Sequence, residues 1–244
     1  MSRTVVVTGG AKGIGRVIVD RFAAAGDRVV ALGRDRTALE KLAAPIETRV
    51  CDVTDEGDVG TTFAEIGAVD VLVNNAGIGE SAPLARTTLD SWNRHFDVNV
   101  TAPFLCLRAV VPGMRERGRG AVVTVASTAG RVGVPYTSAY SASKHAVVGL
   151  TRAVASELAG SGVCVNAVCP TFVRTAMTHR SVENIAQRTA RSPADAEAAL
   201  AASSPLGRLL EPDEVADAVL FLASPAAAAI TGQALVIDGG GIQA

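Results

Sequence analysis

The chain has 244 residues, of which 48% are hydrophobic, 19% charged and only 4% aromatic, and its formal net charge is -1 at pH 7. That length supports one large α/β domain with a full core. A near-neutral balance supplies no field to recruit nucleic acid or an acidic membrane surface, and so few aromatic residues leave no stacking platforms for single-stranded nucleic acid.

No apolar run is long enough to span a bilayer, and the opening MSRTVVVTGG is too short and too quickly strand-like for a signal peptide. The expected location is the cytoplasm. Cys51, Cys106, Cys164 and Cys169 form no Cys-x-x-Cys pair and no metal spacing with the three histidines. They are expected to be buried reduced thiols, with no metal bound.

In chain order, short Val-rich runs at 4–8, 28–32, 48–50, 69–73, 121–126 and 163–168 predict buried strands, and 234–237 predicts a last one. Continuous apolar runs of this kind suit a parallel sheet covered on both faces. Between them, 14–25, 37–43, 56–66, 89–114, 139–159 and 213–222 predict helices. The alternation implies right-handed βαβ units in a doubly wound parallel sheet of about seven strands, a single domain over residues 1–244. Residues 171–206 are polar, without a strand pattern, and follow the sixth strand. A long irregular excursion at the carboxyl end of a strand is where a substrate lid would sit.

Three stretches carry chemistry. Thr8-Gly9-Gly10-Ala11-Lys12-Gly13-Ile14-Gly15 joins the first strand to the first long helix. Its glycines permit a tight turn, and the helix N-terminus it opens favours a pyrophosphate. The glycine spacing departs from the common dinucleotide-binding pattern. Next, Tyr140 and Lys144 stand one helical turn apart on one face, with Ser127 thirteen residues before the tyrosine. A nearby ammonium lowers a phenol's pKa from its usual value of about 10, fitting such a pair for proton exchange with an alcohol or carbonyl oxygen. Finally, Asn99 falls mid-helix, where asparagine is mildly unfavourable.

TGGAKGIG, then Asn74-Asn75-Ala76-Gly77 after the fourth strand, then Asn99, Ser127, Tyr140 and Lys144 together resemble the short-chain dehydrogenase/reductase family, in order and spacing, from Thr4 to Gly240. The resemblance implies a Rossmann fold and hydride transfer with a nicotinamide cofactor. Tyr140 would be the acid/base, Lys144 would hold the nicotinamide ribose and lower the tyrosine pKa, Ser127 would orient the substrate oxygen, and Asn99 would anchor a water linking Lys144 to solvent. Gly9, Gly13 and Gly15, with Lys12 and Ile14, would form the pyrophosphate turn. Asp52 and Val53 would meet the adenine, and Asn75, Ala76 and Gly77 would shape the adenosine ribose pocket. Pro170, Val173 and Thr175 would line the nicotinamide side, the latter two holding its carboxamide. Thr171 departs from the family pattern, standing where a glycine is usual; its Cβ restricts φ and narrows the space beside the nicotinamide.

Cofactor choice is argued at the end of the second strand, where Gly33 occupies the position of an NAD-binding acid and Arg34 follows it. A guanidinium suits a 2′-phosphate, and Lys12 adds a second cation, which favours NADP(H) over NAD(H). Asp35 offsets part of the Arg34 charge.

The segments around Ser127, Tyr140 and 165–170 are especially similar to stand-alone ketoreductases of aromatic polyketide pathways, to 3-oxoacyl-carrier-protein reductases and to 3-hydroxybutyrate dehydrogenases. The resemblance therefore implies an NADPH-dependent ketoreductase acting on a small-molecule or carrier-linked carbonyl. An NAD-dependent hydroxyacyl dehydrogenase is the alternative, and a non-catalytic dinucleotide sensor a remote one. The Ala-rich lid offers few polar groups for a charged small acid, which favours a bulky or thioester-linked ketone. Arg117 and Arg119 read first as a solvated, basic helix end, with an acidic carrier protein as the alternative partner. Phe104, Leu105, Val147, Val148 and Leu150 give the helices bearing Asn99 and Tyr140 apolar positions on more than one side, and the family assembles through these helices, so a homotetramer is expected.

Overall fold

The computed structural model describes residues 2–243. The strands are β1 (Thr4–Thr8), β2 (Arg28–Gly33), β3 (Glu47–Val50), β4 (Val71–Asn74), β5 (Gly120–Val125), β6 (Val163–Pro170) and β7 (Ala234–Ile237). All pair in parallel, in the order β3-β2-β1-β4-β5-β6-β7. This is a single-domain Rossmann fold, as the alternation of elements predicts.

The helices are α1 (Gly13–Ala24), α2 (Arg36–Leu39), α3 (Glu56–Ile66), α4 (Leu89–Phe96), α5 (Ala102–Glu116), α6 (Ser138–Glu157), α7 (Ala176–Thr189), α8 (Pro193–Ala201) and α9 (Pro212–Leu222). Side chains alternate across each strand. Val5 and Val7 therefore enter the core under α1 and α9 with Ile18, Phe22, Val215 and Val219. Val6 points the other way, into the core under α3 and α5 with Phe63, Leu105 and Val110. Both faces are covered, which is why the strands read as unbroken apolar runs.

Strand order reverses between β1 and β4, opening a crevice at their carboxyl ends. Thr8 and Asn75 close its floor. The Thr8 hydroxyl accepts the amides of Asn75 and Ala76, both at 3.0 Å. The Asn75 side chain donates to the carbonyls of Thr8 at 2.9 Å and Gly9 at 3.2 Å. Gly15 is packed against the same turn: a Cβ there would lie 2.3 Å from the Gly9 carbonyl oxygen and 2.4 Å from Asn75 Nδ2.

Four expectations change. Residues 171–206 are largely helical, forming α7 and α8, because Thr175 and Ser192 cap helix starts with their side chains. The helix expected over 37–43 stops at Leu39, where the Leu42 amide turns back to the Leu39 carbonyl at 3.0 Å. The helix expected over 89–114 exists but is interrupted by a π-helical turn at Asp97–Thr101, which sequence periodicity does not report. Arg117 and Arg119 lie at the amino end of β5, where Arg117 donates to the Val69 carbonyl at 2.6 Å and Arg119 pairs with Asp70 at 3.6 Å. They stand at the opposite end of the sheet from Tyr140 and do not flank its crevice.

Overpacking a closed turn of this kind costs about 1–3 kcal/mol. Gly15→Ala is expected to lower the Tm by roughly 5 °C and to weaken dinucleotide binding, checked by thermal melts and by cofactor fluorescence titration.

Candidate active site

The crevice at the strand reversal is a cavity of about 420 Å³. Gly9, Lys12, Gly13, Ile14, Asn75, Ala76, Gly77, Ser127, Tyr140, Lys144, Pro170, Val173 and Thr175 all line it, as do Thr171 and Phe172. Gly15 lies behind the turn. Arg34, Asp52, Val53 and Asn99 are not in its wall: Arg34 and Asp52 lie 3.7 Å apart outside it, Val53 is buried in the core, and Asn99 is buried beneath Gly77.

Sequence dictates the glycine turn. Gly9 and Gly13 adopt φ of 65° and 54°, a left-handed conformation that costs glycine little. No side chain caps α1, and its first turn holds no acidic residue. Its amides therefore face the cavity without an internal acceptor, which fits a bound pyrophosphate.

Tyr140 and Lys144 stand on α6 facing Ser127, which follows β5. A close approach sets this distance: a Cβ at Gly130 would lie 2.6 Å from the Lys144 carbonyl oxygen. Lys144 is buried, and its ammonium donates to the Val125 carbonyl at 2.9 Å. Burial lowers its pKa to about 8, with the neighbouring Cys169 acting in the other direction. Burial raises the Tyr140 phenol, opposed by a hydrogen bond with Ser127. The expected lowering of the tyrosine by Lys144 does not offset that rise. The lysine is turned toward Val125 and lies 5.8 Å from the ring centroid.

Asn99 is placed by the π-helical turn. Its side chain accepts from the Ile78 amide at 2.9 Å and donates to the Ile78 carbonyl and the Ser143 hydroxyl, both at 3.0 Å. It thus clamps the loop after β4 onto α6. π-Helical turns inside helices are frequent at functional sites.

At the β2 end neither cation stands alone. Lys12 donates to Asp35 at 2.6 Å, and Arg34 lies 3.7 Å from Asp52. Asp35 therefore neutralises Lys12, contrary to the expected pairing with Arg34, because it is also held at the start of α2 by the Ala38 amide. Both contacts hold the Asp35 carboxyl below its usual range, with Lys12 the larger cause.

Sequence reasoning did not identify Arg180, Glu80 or Thr137, which also line the cavity. Arg180 and Glu80 are isolated charges in the sequence and carry no motif. The i, i+3, i+4 spacing of Met177, Arg180 and Ser181 on one helical face becomes visible only once α7 is known to be a helix.

A family profile described as enoyl-(acyl carrier protein) reductase matches residues 9–241. The chain is 39% identical to a 2,5-dichloro-2,5-cyclohexadiene-1,4-diol dehydrogenase of Sphingobium indicum, over 98% of this chain and 96% of that protein. It is 41% identical to a 2-(R)-hydroxypropyl-CoM dehydrogenase of Xanthobacter autotrophicus, over 98% of each. Among solved structures, a point variant of actinorhodin polyketide ketoreductase with NADPH superposes with a TM-score of 0.93 at 38% identity, covering 98% of this chain and 97% of that one. The chain belongs to the short-chain dehydrogenase/reductase family, and it is an oxidoreductase acting on CH–OH and C=O groups.

The lysine generates a pH prediction. Its folded pKa of about 8 lies below the unfolded reference of 10.5. Below pH 8 both states hold the proton and the cost of burying it is complete; between 8 and 10 the unfolded state binds more protons, so stability rises with pH. Lys144→Met is therefore expected to be more stable than the parent at pH 7 in urea melts, and that advantage is expected to shrink from pH 8 to 10. A constant difference across this window would contradict the assignment.

Proposed function

We propose that this protein is an NADPH-dependent ketoreductase in which Tyr140 is the proton donor. The observation that carries this reading is one cavity at the strand reversal lined both by the uncapped start of α1 and by Ser127, Tyr140 and Lys144. The nicotinamide cofactor, when bound, supplies the hydride to the carbonyl carbon.

The residues do the rest. Ser127 donates to the carbonyl oxygen and fixes its position. Tyr140 gives its phenolic proton to that oxygen as it gains charge. A phenol raised by burial stays protonated through neutral pH, which suits the acid role in the reductive direction. Lys144 meets the nicotinamide ribose and restores the tyrosine proton. Asn99 holds the Ile78 loop, and with it the ribose side of the cavity, against α6; a water near it completes the path from Lys144 to solvent. Gly9, Lys12, Gly13, Ile14 and Gly15 form the pyrophosphate turn. Asp52 and Val53 edge the adenine site, Asn75, Ala76 and Gly77 the ribose site, and Pro170, Val173 and Thr175 the nicotinamide site. Residues 171–206, carrying α7 and α8, act as the substrate lid over a single domain spanning 1–244.

Arg34 and Lys12 support NADP(H), and the similar ketoreductase structure contains NADPH. Their pairing with Asp52 and Asp35 favours a second reading, an NAD-dependent hydroxyacyl dehydrogenase. The protein acts in the cytoplasm as a homotetramer. Leu105, Val147 and Val148 are already buried within one chain, whereas Phe104 on α5 and Leu235 on the edge strand β7 remain exposed and supply apolar surface for assembly.

Tyr140→Phe is expected to bind NADPH normally and to lose at least about a hundredfold in kcat. Retention of more than a tenth of the activity in a ketone-dependent NADPH assay would overturn the proton-donor role. Asp35→Asn preserves the cap of α2 while releasing Lys12; it is expected to tighten NADPH about two- to fivefold and leave NADH unchanged in fluorescence titrations. Arg34→Ala is expected to weaken NADPH by a similar factor.

A further inference from the structure

Beside the main cavity lies a second one of about 350 Å³. It shares Glu80 with the first and is bounded by the loop after β4, the start of α4, residues 136–139 and the far end of α7. Three guanidiniums, of Arg86, Arg94 and Arg188, line it against a single carboxylate, that of Glu80. Glu80 is already satisfied: it accepts from Arg94 at 3.1 Å and from the Ser91 hydroxyl at 3.2 Å. Among the described residues neither Arg86 nor Arg188 has an ion-pair partner. Arg188 spends one donor on the Ser81 carbonyl at 3.2 Å.

Two links join this annex to the reacting end. One is His95, which is buried. Its Nε2 accepts from the Glu80 amide at 3.1 Å, its Nδ1 lies 2.7 Å from the Ser91 carbonyl, and its ring packs edge-on against Tyr140 at 6.3 Å. The other is α7. Arg180, Asn184 and Arg188 recur at four-residue spacing on one helical face, Arg180 lining the main cavity and the other two the annex. At 1.5 Å per residue, Arg188 stands about 12 Å beyond Arg180 along the helix. The lid, Ala-rich in sequence, therefore turns its cationic face inward, contrary to the expectation that it offers few polar groups.

We propose that the annex receives an anionic group, a carboxylate, sulfonate or phosphate, carried by the ketone at the end remote from its carbonyl. Guanidiniums bind such oxyanions through paired, charge-assisted hydrogen bonds. Arg86 and Arg188 supply the donors, and Arg94 is retained by Glu80. The inference rests on the ketoreductase reading and narrows its substrate class.

The test compares charged and neutral partners of the same shape. Oxo acids are assayed beside their methyl esters, and S-(3-oxoacyl) phosphopantetheine beside S-(3-oxoacyl) pantetheine, each with NADPH. The parent enzyme is expected to prefer the charged member in kcat/KM. In the Arg86→Ala, Arg188→Ala double variant the charged-to-neutral ratio is expected to fall about tenfold or more. A preference confined to oxo acids assigns the site to the substrate's own carboxylate; one confined to phosphopantetheine assigns it to a carrier arm's phosphate. A ratio near one in the parent, or one that the substitutions leave unchanged, overturns the proposal. Should NADPH bind but no ketone be reduced, the ketoreductase reading fails instead. Calorimetry of the same acids and esters with the cofactor-saturated protein then decides the annex, where equal binding of charged and neutral members rejects it.

Discussion

Every functional group at the carboxyl edge of the sheet depends on how closely β1 and β4 are held where the strand order reverses. Thr8 and Asn75 exchange four hydrogen bonds across that point, counting those to Ala76 and Gly9. Gly15 brings α1 onto the same turn at a distance that no side chain would permit. The consequence is a helix start aimed at the crevice with its amides unspent. A slightly wider turn would leave the same glycines in place and lose the anion site, because macrodipole and amide interactions fade beyond the first helical turn.

Electrostatics on the other wall work through burial. Among the described residues Lys144 has no carboxylate partner, and it rests on the Val125 carbonyl. A lone ammonium in such surroundings loses affinity for its proton, while a neighbouring phenol holds its own more tightly. The two groups, nearly equal in ordinary proton affinity, are thereby moved apart, the lysine below the phenol. A protonated Lys144 therefore gives its proton to a phenolate favourably, and this requires packing rather than a strong ion pair.

The charges outside the core behave differently. Lys12, Arg34, Asp35 and Asp52 are exposed enough to be screened, and their pairs are individually weak. Cofactor preference at such a site is a small difference between competing contacts. The arginines of the annex are equally exposed, but two of them face a concave wall whose carboxylate, Glu80, is already held by Arg94 and Ser91. Geometry there, rather than the number of cations, separates a binding site from a solvated face.

The sequence by itself determined the alternation of strands and helices, the glycine turn, and the sharing of one helical face by Tyr140 and Lys144. Local spacing suffices for these: apolar runs report buried strands, glycine reports a left-handed turn, and residues four apart share a helical face. Tertiary structure alone decided the rest. The π-helical turn places Asn99 against Ile78, a partner twenty-one residues away. Asp35 pairs with Lys12, twenty-three residues distant, and not with the neighbouring Arg34. Arg117 and Arg119 point to the wrong end of the sheet for the site, and α7 brings Arg188 beside Arg86 across a hundred residues of chain. Charged side chains are long, flexible and without periodicity, so their partners are fixed only when the packed backbone sets which of them meet.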